Sequence, residues 1–149
     1  MTATGHALIG TVIAAKVGNP ALAVPIALGS HFLADALPHW DTAYSRRHKS
    51  KIRFFLESLA DLILGFVLSW GLIVLLFPWT NLGYAFIIII VSQLPDWLTL
   101  PYLFLDLNFP PFSSIYNFQK KFDTHLGLPW GLINQVVAVI GVIALGKML

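Results

Sequence analysis

Long apolar runs separated by short polar connections make up this chain, and the pattern predicts a bundle of helices. A helix needs about 20 apolar residues to cross a membrane, and Gly, Asn and Pro mark the turns between runs. The predicted helices cover residues 2–17, 20–37, 52–77, 83–94 and 126–149. The first run is short for a spanning helix. Pro95 and Pro101 are expected to interrupt the fourth helix, and residues 106–123 to form a polar and aromatic connection.

Composition assigns these helices to a membrane. Hydrophobic residues make up 57% of the chain and charged residues 11%, whereas roughly a quarter of a soluble domain is charged. The predicted fold is all-α: a polytopic transmembrane bundle of four to five helices, with two helical hairpins plus a C-terminal helix. Residues 1–149 are expected to form a single integral membrane domain. There are no cysteines, so a transition metal would have to be held by imidazole and carboxylate groups.

The distribution of basic residues predicts the orientation of the bundle. The connection between the second and third helices carries five of the nine Lys and Arg residues, and short basic loops stay in the cytoplasm. The N-terminus is then also cytoplasmic, whereas Lys16 and Lys147 lie on the other side. A short basic patch beside a membrane helix is more simply an orientation signal or an anionic-lipid contact than a nucleic-acid site. No nucleic-acid partner is therefore expected.

The seven carboxylates and five histidines of the chain are expected to gather at the cytoplasmic end of the helices. Antiparallel neighbours bring alternate helix ends to one side, and a spacing of four puts side chains on one helix face. That spacing occurs in His31, Asp35 and His39, and again in Glu57 and Asp61. The predicted metal ligands are His6, His31, Asp35, His39, Asp61, Asp96 and His125. The predicted catalytic carboxylates are Glu57 and Asp61.

The acids within apolar sequence are the reason for predicting a metal. Asp35 and Asp61 are flanked by Ala, Leu, Ile and Phe residues, and a charged group inside a bilayer costs about 2.5 to 3.5 kcal/mol on insertion scales. Several crowded carboxylates repel one another unless a cation joins them. Structural interpretations stay open: His31 and Asp35 as a hydrogen-bonded pair, Asp96 as a helix cap, and Glu57 in a salt bridge with Arg53.

Short motifs in the chain resemble those of a known family. Residues 2–10, with His6, and residues 30–41, with His31 and Asp35, are similar to segments of the membrane-bound metal-dependent hydrolases of the bacterial inner membrane, of the LexA-regulated type. Leu94-Pro95-Asp96 and Thr124-His125 look like that family's Leu-Pro-Asp and later Thr-His elements. The chain departs from the pattern at His39, where the family more often has Asp, and at Leu126, where it usually has Ser.

The resemblance implies a hydrolase, and the residues suggest its chemistry. A divalent metal, most simply Zn²⁺ with Mn²⁺ as the second choice, would lower the pKa of bound water toward about 7. Glu57 would serve as the general base. A site at the headgroup level of the membrane would meet a phospholipid or lipid-phosphate ester, with the basic loop on its phosphate. The chain has no Gly-x-Ser-x-Gly elbow, phosphate-binding glycine loop or cysteine nucleophile.

Two other functional classes use the same residues. A small ion or metal transporter would need polar groups in the outer half of the bundle, where the sequence offers few. A non-catalytic membrane scaffold would tolerate loss of the acids. Five short helices bury a modest core, which is compatible with a homodimer.

Overall fold

The computed structural model describes all of residues 1–149 and is entirely helical, as the apolar runs predicted. The helices are α1 Ala3–Lys16, α2 Pro20–Ala36, α3 Lys51–Leu76, α4 Leu82–Leu105, α5 Phe112–Gln119 and α6 Trp130–Met148. One turn of 3-10 helix, Arg46–His48, lies in the basic loop. The two hairpins and the C-terminal helix are present, and α5 is an additional short helix that the sequence pattern did not predict.

Helix α1 is the centre of the bundle. It packs against α2, α3, α4 and α6, and small residues let its neighbours approach closely. A Cβ atom added to Gly10 would lie 2.5 Å from the Ser92 hydroxyl on α4, and one added to Gly65 on α3 would lie 3.1 Å from the Cα of Thr4. The 14 residues of α1 span about 21 Å. A helix surrounded by its neighbours does not have to cover the full thickness of a bilayer.

Three helices, α3, α4 and α6, are long and apolar enough to cross a membrane. Their outer faces expose large apolar side chains, among them Leu75 at 79%, Val137 at 63% and Val67 at 60%. The interior instead contains polar groups such as His6, His31 and Gln93, all buried. Large exposed apolar surfaces are rare on soluble monomers, and this reversed distribution suits an apolar surrounding.

Helix α4 continues through Pro95 and Pro101, so the predicted interruption after residue 94 was wrong. Polar side chains bond to the helix carbonyls near the prolines, which is how membrane helices tolerate proline. The Ser92 hydroxyl donates to the Ile89 carbonyl at 2.8 Å, and the Thr99 hydroxyl donates to the Asp96 carbonyl at 2.7 Å. The continuous helix keeps Asp96 on the bundle side instead of releasing it into a loop.

Main-chain hydrogen bonds join the segment after α2 to the segment before α6. His39 N donates to the Thr124 carbonyl at 3.0 Å, and Leu126 N donates to the His39 carbonyl at 2.6 Å. These bonds hold residues 124–126 in an extended conformation, so α6 begins at Trp130 and not at residue 126 as predicted. The pairing brings two distant connections side by side at one end of the bundle.

Candidate metal centre

The structure brings together six of the seven predicted metal ligands, but in two groups instead of one. The inner group, between α1, α2 and α4, consists of His6, His31, Asp35 and Asp96. The outer group, on the two paired connections, consists of His39, Asp41, Asp123 and His125. Asp61 belongs to neither group. The prediction of one shared helix face for His31, Asp35 and His39 was therefore wrong at His39.

The end of α2 explains why His39 leaves the inner group. The residue before a proline avoids helical geometry, and Leu37, which precedes Pro38, has φ −74° and ψ 138°. The chain is extended from that point, so His39 no longer follows the four-residue spacing of a helix. His31 and Asp35 remain on the helix and face α1 and α4.

Two carboxylates and two imidazoles form the inner group at close range. Asp35 bridges the histidines, with Oδ1 3.1 Å from His6 Nε2 and Oδ2 3.2 Å from His31 Nε2. Asp96 lies 3.6 Å from His31 Nε2 and 4.0 Å from His6 Nε2. The two imidazole rings are stacked with centroids 3.9 Å apart. The amino group of Met1 also donates to Asp35. All these atoms converge on a small buried volume.

Ser92 on α4 contacts both histidines, and no sequence pattern marks it. Its carbonyl accepts a hydrogen bond from His31 Nδ1 at 2.9 Å and so orients that imidazole. Its hydroxyl shares one proton between the main-chain carbonyls of Ile89 and of His6, the second at 2.9 Å, and so ties α4 to the backbone of α1. A histidine whose Nδ1 donates to a carbonyl presents Nε2 as a ligand. His6 Nε2 is buried and has no hydrogen-bond partner of good geometry. A serine in an apolar helix carries no sequence signal for this task.

Gln119 at the end of α5 covers the inner group. Its side-chain amide donates to Asp96 and lies 3.3 Å from His31 Nε2. Because α5 packs against α4, this short helix closes the inner group on the side of the connection. The sequence predicts only a connection over residues 106–123, and Gln119 was not among the predicted site residues.

The outer group also combines two imidazoles and two carboxylates. His125 Nε2 lies 3.1 Å from Asp41 Oδ2, and His39 Nε2 lies 3.3 Å from Asp123 Oδ1. Burial lowers the pKa of His39, but hydrogen bonds with Asp123 and Asp41 outweigh this effect and raise it to about 9. The hydrogen bond with Asp41 raises the pKa of His125. Both shifts favour the protonated imidazole beside the acids.

Asp41 and Asp123 were not among the predicted ligands, although a sequence signal for them exists. His39 and Asp41 are two residues apart, and so are Asp123 and His125. In extended chain, residues i and i+2 point to the same side. The sequence prediction considered only ligands at the four-residue spacing of a helix, so it did not include these pairs.

Asp61 anchors the start of α1. Its carboxylate accepts hydrogen bonds from Ala3 N at 2.7 Å, from Thr4 N at 3.2 Å and from the Thr4 hydroxyl at 2.7 Å. These are donors that the first turn of a helix leaves without internal partners. The structure thus gives Asp61 a structural partner set, and Asp61 also lines the cavity that Asp35 and Asp96 reach.

Replacing Asp61 with alanine is expected to lower the free energy of unfolding by about 2–4 kcal/mol, because partly buried donors of α1 lose their acceptor. Unfolding by SDS in detergent micelles measures this change. Asp61→Asn keeps one acceptor oxygen and is expected to lose less. Bound metal, counted in the same samples, should be unchanged. A folded Asp61→Asn protein that has lost its metal would instead support the predicted ligand role.

Glu57 lies in ion pairs on the surface of α3. It contacts Lys49 Nζ at 2.6 Å and Arg53 Nε at 2.8 Å. The salt bridge with Arg53 was the interpretation favoured by the sequence spacing, and the structure contains it. Glu57 is not brought together with the inner or the outer group, and its role as a general base stays a prediction.

A cavity of about 600 Å³ adjoins both groups. Carboxylates line one end of it, Asp35 and Asp96 from the inner group and Asp41 and Asp123 from the outer group. Most of the remaining wall is apolar and comes from α3 and α4, with Phe54, Phe55, Leu59, Leu62, Leu100 and Phe104. The combination of a polar end and an apolar body suits an amphipathic molecule.

Comparisons of this chain with protein-family models, with curated proteins and with solved structures found no match. The fold and the two groups therefore carry the functional argument.

Proposed function

We propose that this chain is a metal-dependent hydrolase of the bacterial inner membrane that acts at the cytoplasmic face on a phospholipid or lipid-phosphate ester. One observation carries the proposal. The inner group, in which His6, His31 and Asp35 are buried and Asp96 is half-buried, reaches the polar end of a largely apolar cavity. The resemblance of the short motifs to membrane-bound metal-dependent hydrolases is consistent with this proposal.

The proposed orientation has the N-terminus and the basic loop in the cytoplasm. The loop beside the two groups and the first turn of α3 carry five of the nine Lys and Arg residues, which follows the preference of basic segments for the cytoplasmic side. At the other end of the bundle only Lys16 and Lys147 are basic, and both lie over the ring of Phe77.

The donor set of the inner group suits a divalent metal such as Zn²⁺. His6 and His31 each direct Nε2 into the group, and Asp96 adds a carboxylate oxygen, with all three ligand atoms within 4.8 Å of one another. Three protein ligands with an open fourth position are typical of catalytic zinc sites. His6 Nε2 is buried, and its nearest partner is Asp35 Oδ1 at 3.1 Å, so this nitrogen already faces a carboxylate where a metal would bind.

A bound metal would lower the pKa of a water molecule. Protein residues would accept the proton of that water and orient the metal ligands. Asp35 holds both imidazoles and also lines the cavity, a position from which a carboxylate can accept a proton from an attacking water. Glu57 is engaged with Lys49 and Arg53, so Asp35 is the better candidate for the base. Ser92 orients His31 through its carbonyl.

The apolar part of the cavity fits the acyl chain of a lipid. Phe54 and Phe104 stack with centroids 5.0 Å apart at the α3–α4 face, and Lys51 lies on the same cavity wall. Arg46 is close by, with its guanidinium 5.7 Å from the Phe54 ring centroid. Basic side chains beside an apolar cavity suit a molecule that has a phosphate next to an acyl chain.

Hydrolysis by the wild-type protein in detergent micelles tests the proposal. We expect release of phosphate or alcohol from lipid-phosphate esters, loss of this activity on chelation, and recovery on adding Zn²⁺ or Mn²⁺. Water-soluble phosphate esters without an acyl chain are the matched substrates and should react at least about tenfold more slowly, since buried apolar area contributes about 25 cal/mol per Å². A metal-loaded, folded protein that hydrolyses none of the lipid esters would contradict the proposal.

The alternative of an ion or metal transporter finds no support in the packing. The buried side chains toward the far end of the bundle are mostly apolar, among them Ile13, Ala23, Ala27 and Ile88, and Ser69 is an isolated polar exception. Ions crossing a membrane need polar groups or water along their path.

A further inference from the structure

We propose that the outer group, His39, Asp41, Asp123 and His125, is a second divalent-cation site. The hydrolase proposed above requires only the inner group. The outer group has its own ligand set, comes from different chain segments and lies in part at the surface, with the side chain of His125 33% exposed. Imidazole and carboxylate ligands together suit borderline ions such as Zn²⁺ and Mn²⁺.

Four nitrogen–oxygen distances in the outer group are close to those of a tetrahedral site. Ligands 2.0–2.1 Å from a zinc ion lie about 3.3–3.4 Å from one another. In the outer group, His125 Nε2 is 3.1 Å from Asp41 Oδ2 and 3.4 Å from Asp123 Oδ2. His39 Nε2 is 3.3 Å from Asp123 Oδ1 and 3.8 Å from Asp41 Oδ2. These distances, which use both carboxylate oxygens of Asp123, bracket the tetrahedral value, and each of the four residues offers one ligand atom within 4.8 Å of the others.

The backbone holds the ligands in place before any ion binds. The paired extended segments present His39 with Asp41 and Asp123 with His125 at a spacing of two, which directs each pair to one side of its strand-like segment. Besides the bonds between the segments, Asn134 donates to the Pro38 carbonyl at 2.5 Å. A site on segments fixed by hydrogen bonds requires little reorganisation on binding.

The charge of the group matches a divalent cation once the imidazoles are neutral. Two carboxylates and two neutral imidazoles together carry two negative charges, which one divalent ion neutralises as it displaces the imidazole protons that the acids favour. His39 Nδ1 lies 2.8 Å from the Leu37 carbonyl and donates to it, so Nε2 is directed at the acids. Asp123 Oδ1 is buried, and its nearest partner is His39 Nε2 at 3.3 Å, so both atoms can turn toward one ion between them.

The second site narrows the substrate class of the proposed hydrolase, and this step rests on that proposed function. The two groups are neighbours, because Met1 N donates to Asp35 and lies 2.6 Å from His39 Nε2. Carboxylates of both groups line the same end of the cavity. Paired cations stabilise both the attacking and the leaving oxygen of a phosphoryl displacement. The substrate is therefore a phosphate ester of a lipid and not its carboxylic ester.

Metal counting on the full chain in detergent tests the second site. After dialysis against Zn²⁺ and removal of loose ions, elemental analysis should find two equivalents in the wild type. His125→Ala should hold one equivalent, and so should the nearly isosteric Asp123→Asn, which guards against misfolding of the alanine variant. The matched controls are His48→Ala and Asp106→Asn, both outside the two groups, and each should keep two equivalents.

Separate results decide the two proposals. Retention of the full wild-type metal content by folded His125→Ala and Asp123→Asn would overturn the outer site and leave the inner one untouched. Loss of one equivalent in these variants, with no loss in His31→Ala, would support the outer site and contradict the inner one. Folding is checked in every variant by circular dichroism and size-exclusion chromatography.

A substrate comparison tests the phosphate step. With metal-loaded protein, we expect hydrolysis of a phosphate monoester or diester of a lipid and at least a hundredfold slower hydrolysis of a carboxylic ester with the same acyl chain. Asp123→Asn should lower the phosphate reaction at least tenfold. Equal rates on the two ester types would overturn the phosphate assignment. A protein with two bound cations that hydrolyses neither ester would contradict the hydrolase proposal while leaving the second site intact.

Discussion

Replacing His31 with alanine is expected to remove one equivalent of bound metal and to lower lipid-phosphate hydrolysis by at least about 1,000-fold. His31 is fully buried and its Nε2 faces Asp35 and Asp96. Without it the inner group retains a single imidazole. Metal-supplied charge stabilisation is worth several kcal/mol in the transition state, and about 4 kcal/mol corresponds to a factor of 1,000.

Elemental analysis and initial rates on the same purified samples measure this effect. His48→Ala is the matched control, because His48 lies in the exposed basic loop away from both groups. Asp96→Asn is a second variant that preserves side-chain shape, and it should reproduce the loss. If folded His31→Ala protein keeps wild-type metal content and activity, the inner group is not the catalytic metal centre.

Replacing Asp35 with alanine is expected to cause the largest loss of stability, about 3–5 kcal/mol in metal-free protein. Asp35 is 2% exposed, bridges His6 and His31, and accepts from the Met1 amino group. Removing one partner of a buried charged network leaves the charges of the other groups uncompensated, which costs about 3–5 kcal/mol of folding free energy.

SDS-induced unfolding in detergent micelles measures the stability of the Asp35 variants. Asp35→Asn, which keeps one acceptor oxygen, should fall between the wild type and Asp35→Ala. Asp106→Ala is the carboxylate control, because Asp106 forms an exposed ion pair with Lys51 and such pairs contribute little. An Asp35→Ala protein as stable as the wild type would show that the buried network does not hold the helix ends together.

At the polar end of the bundle, the inner group could be predicted from the sequence, whereas the position of His39 could not. The convergence of His6, His31, Asp35 and Asp96 followed from helix direction alone, because antiparallel neighbours bring alternate ends together. The departure of His39 depended on where α2 ends. Pro38 favours an end of the helix before His39, but no sequence pattern shows that the chain beyond it pairs with the segment that contains Thr124.

The apolar runs, the scarcity of charge and the spacing of acids and histidines determined, from the sequence alone, an all-helical membrane-type bundle with its acids and histidines at one end. These properties depend on local composition and helix periodicity, which are properties of neighbouring residues. Only the tertiary structure decided that α1 is the central helix, that Ser92 orients the imidazole of His31 and that the ligands divide into an inner and an outer group. Each of these features joins residues far apart in the chain, and no local pattern specifies which apolar faces and which connections meet.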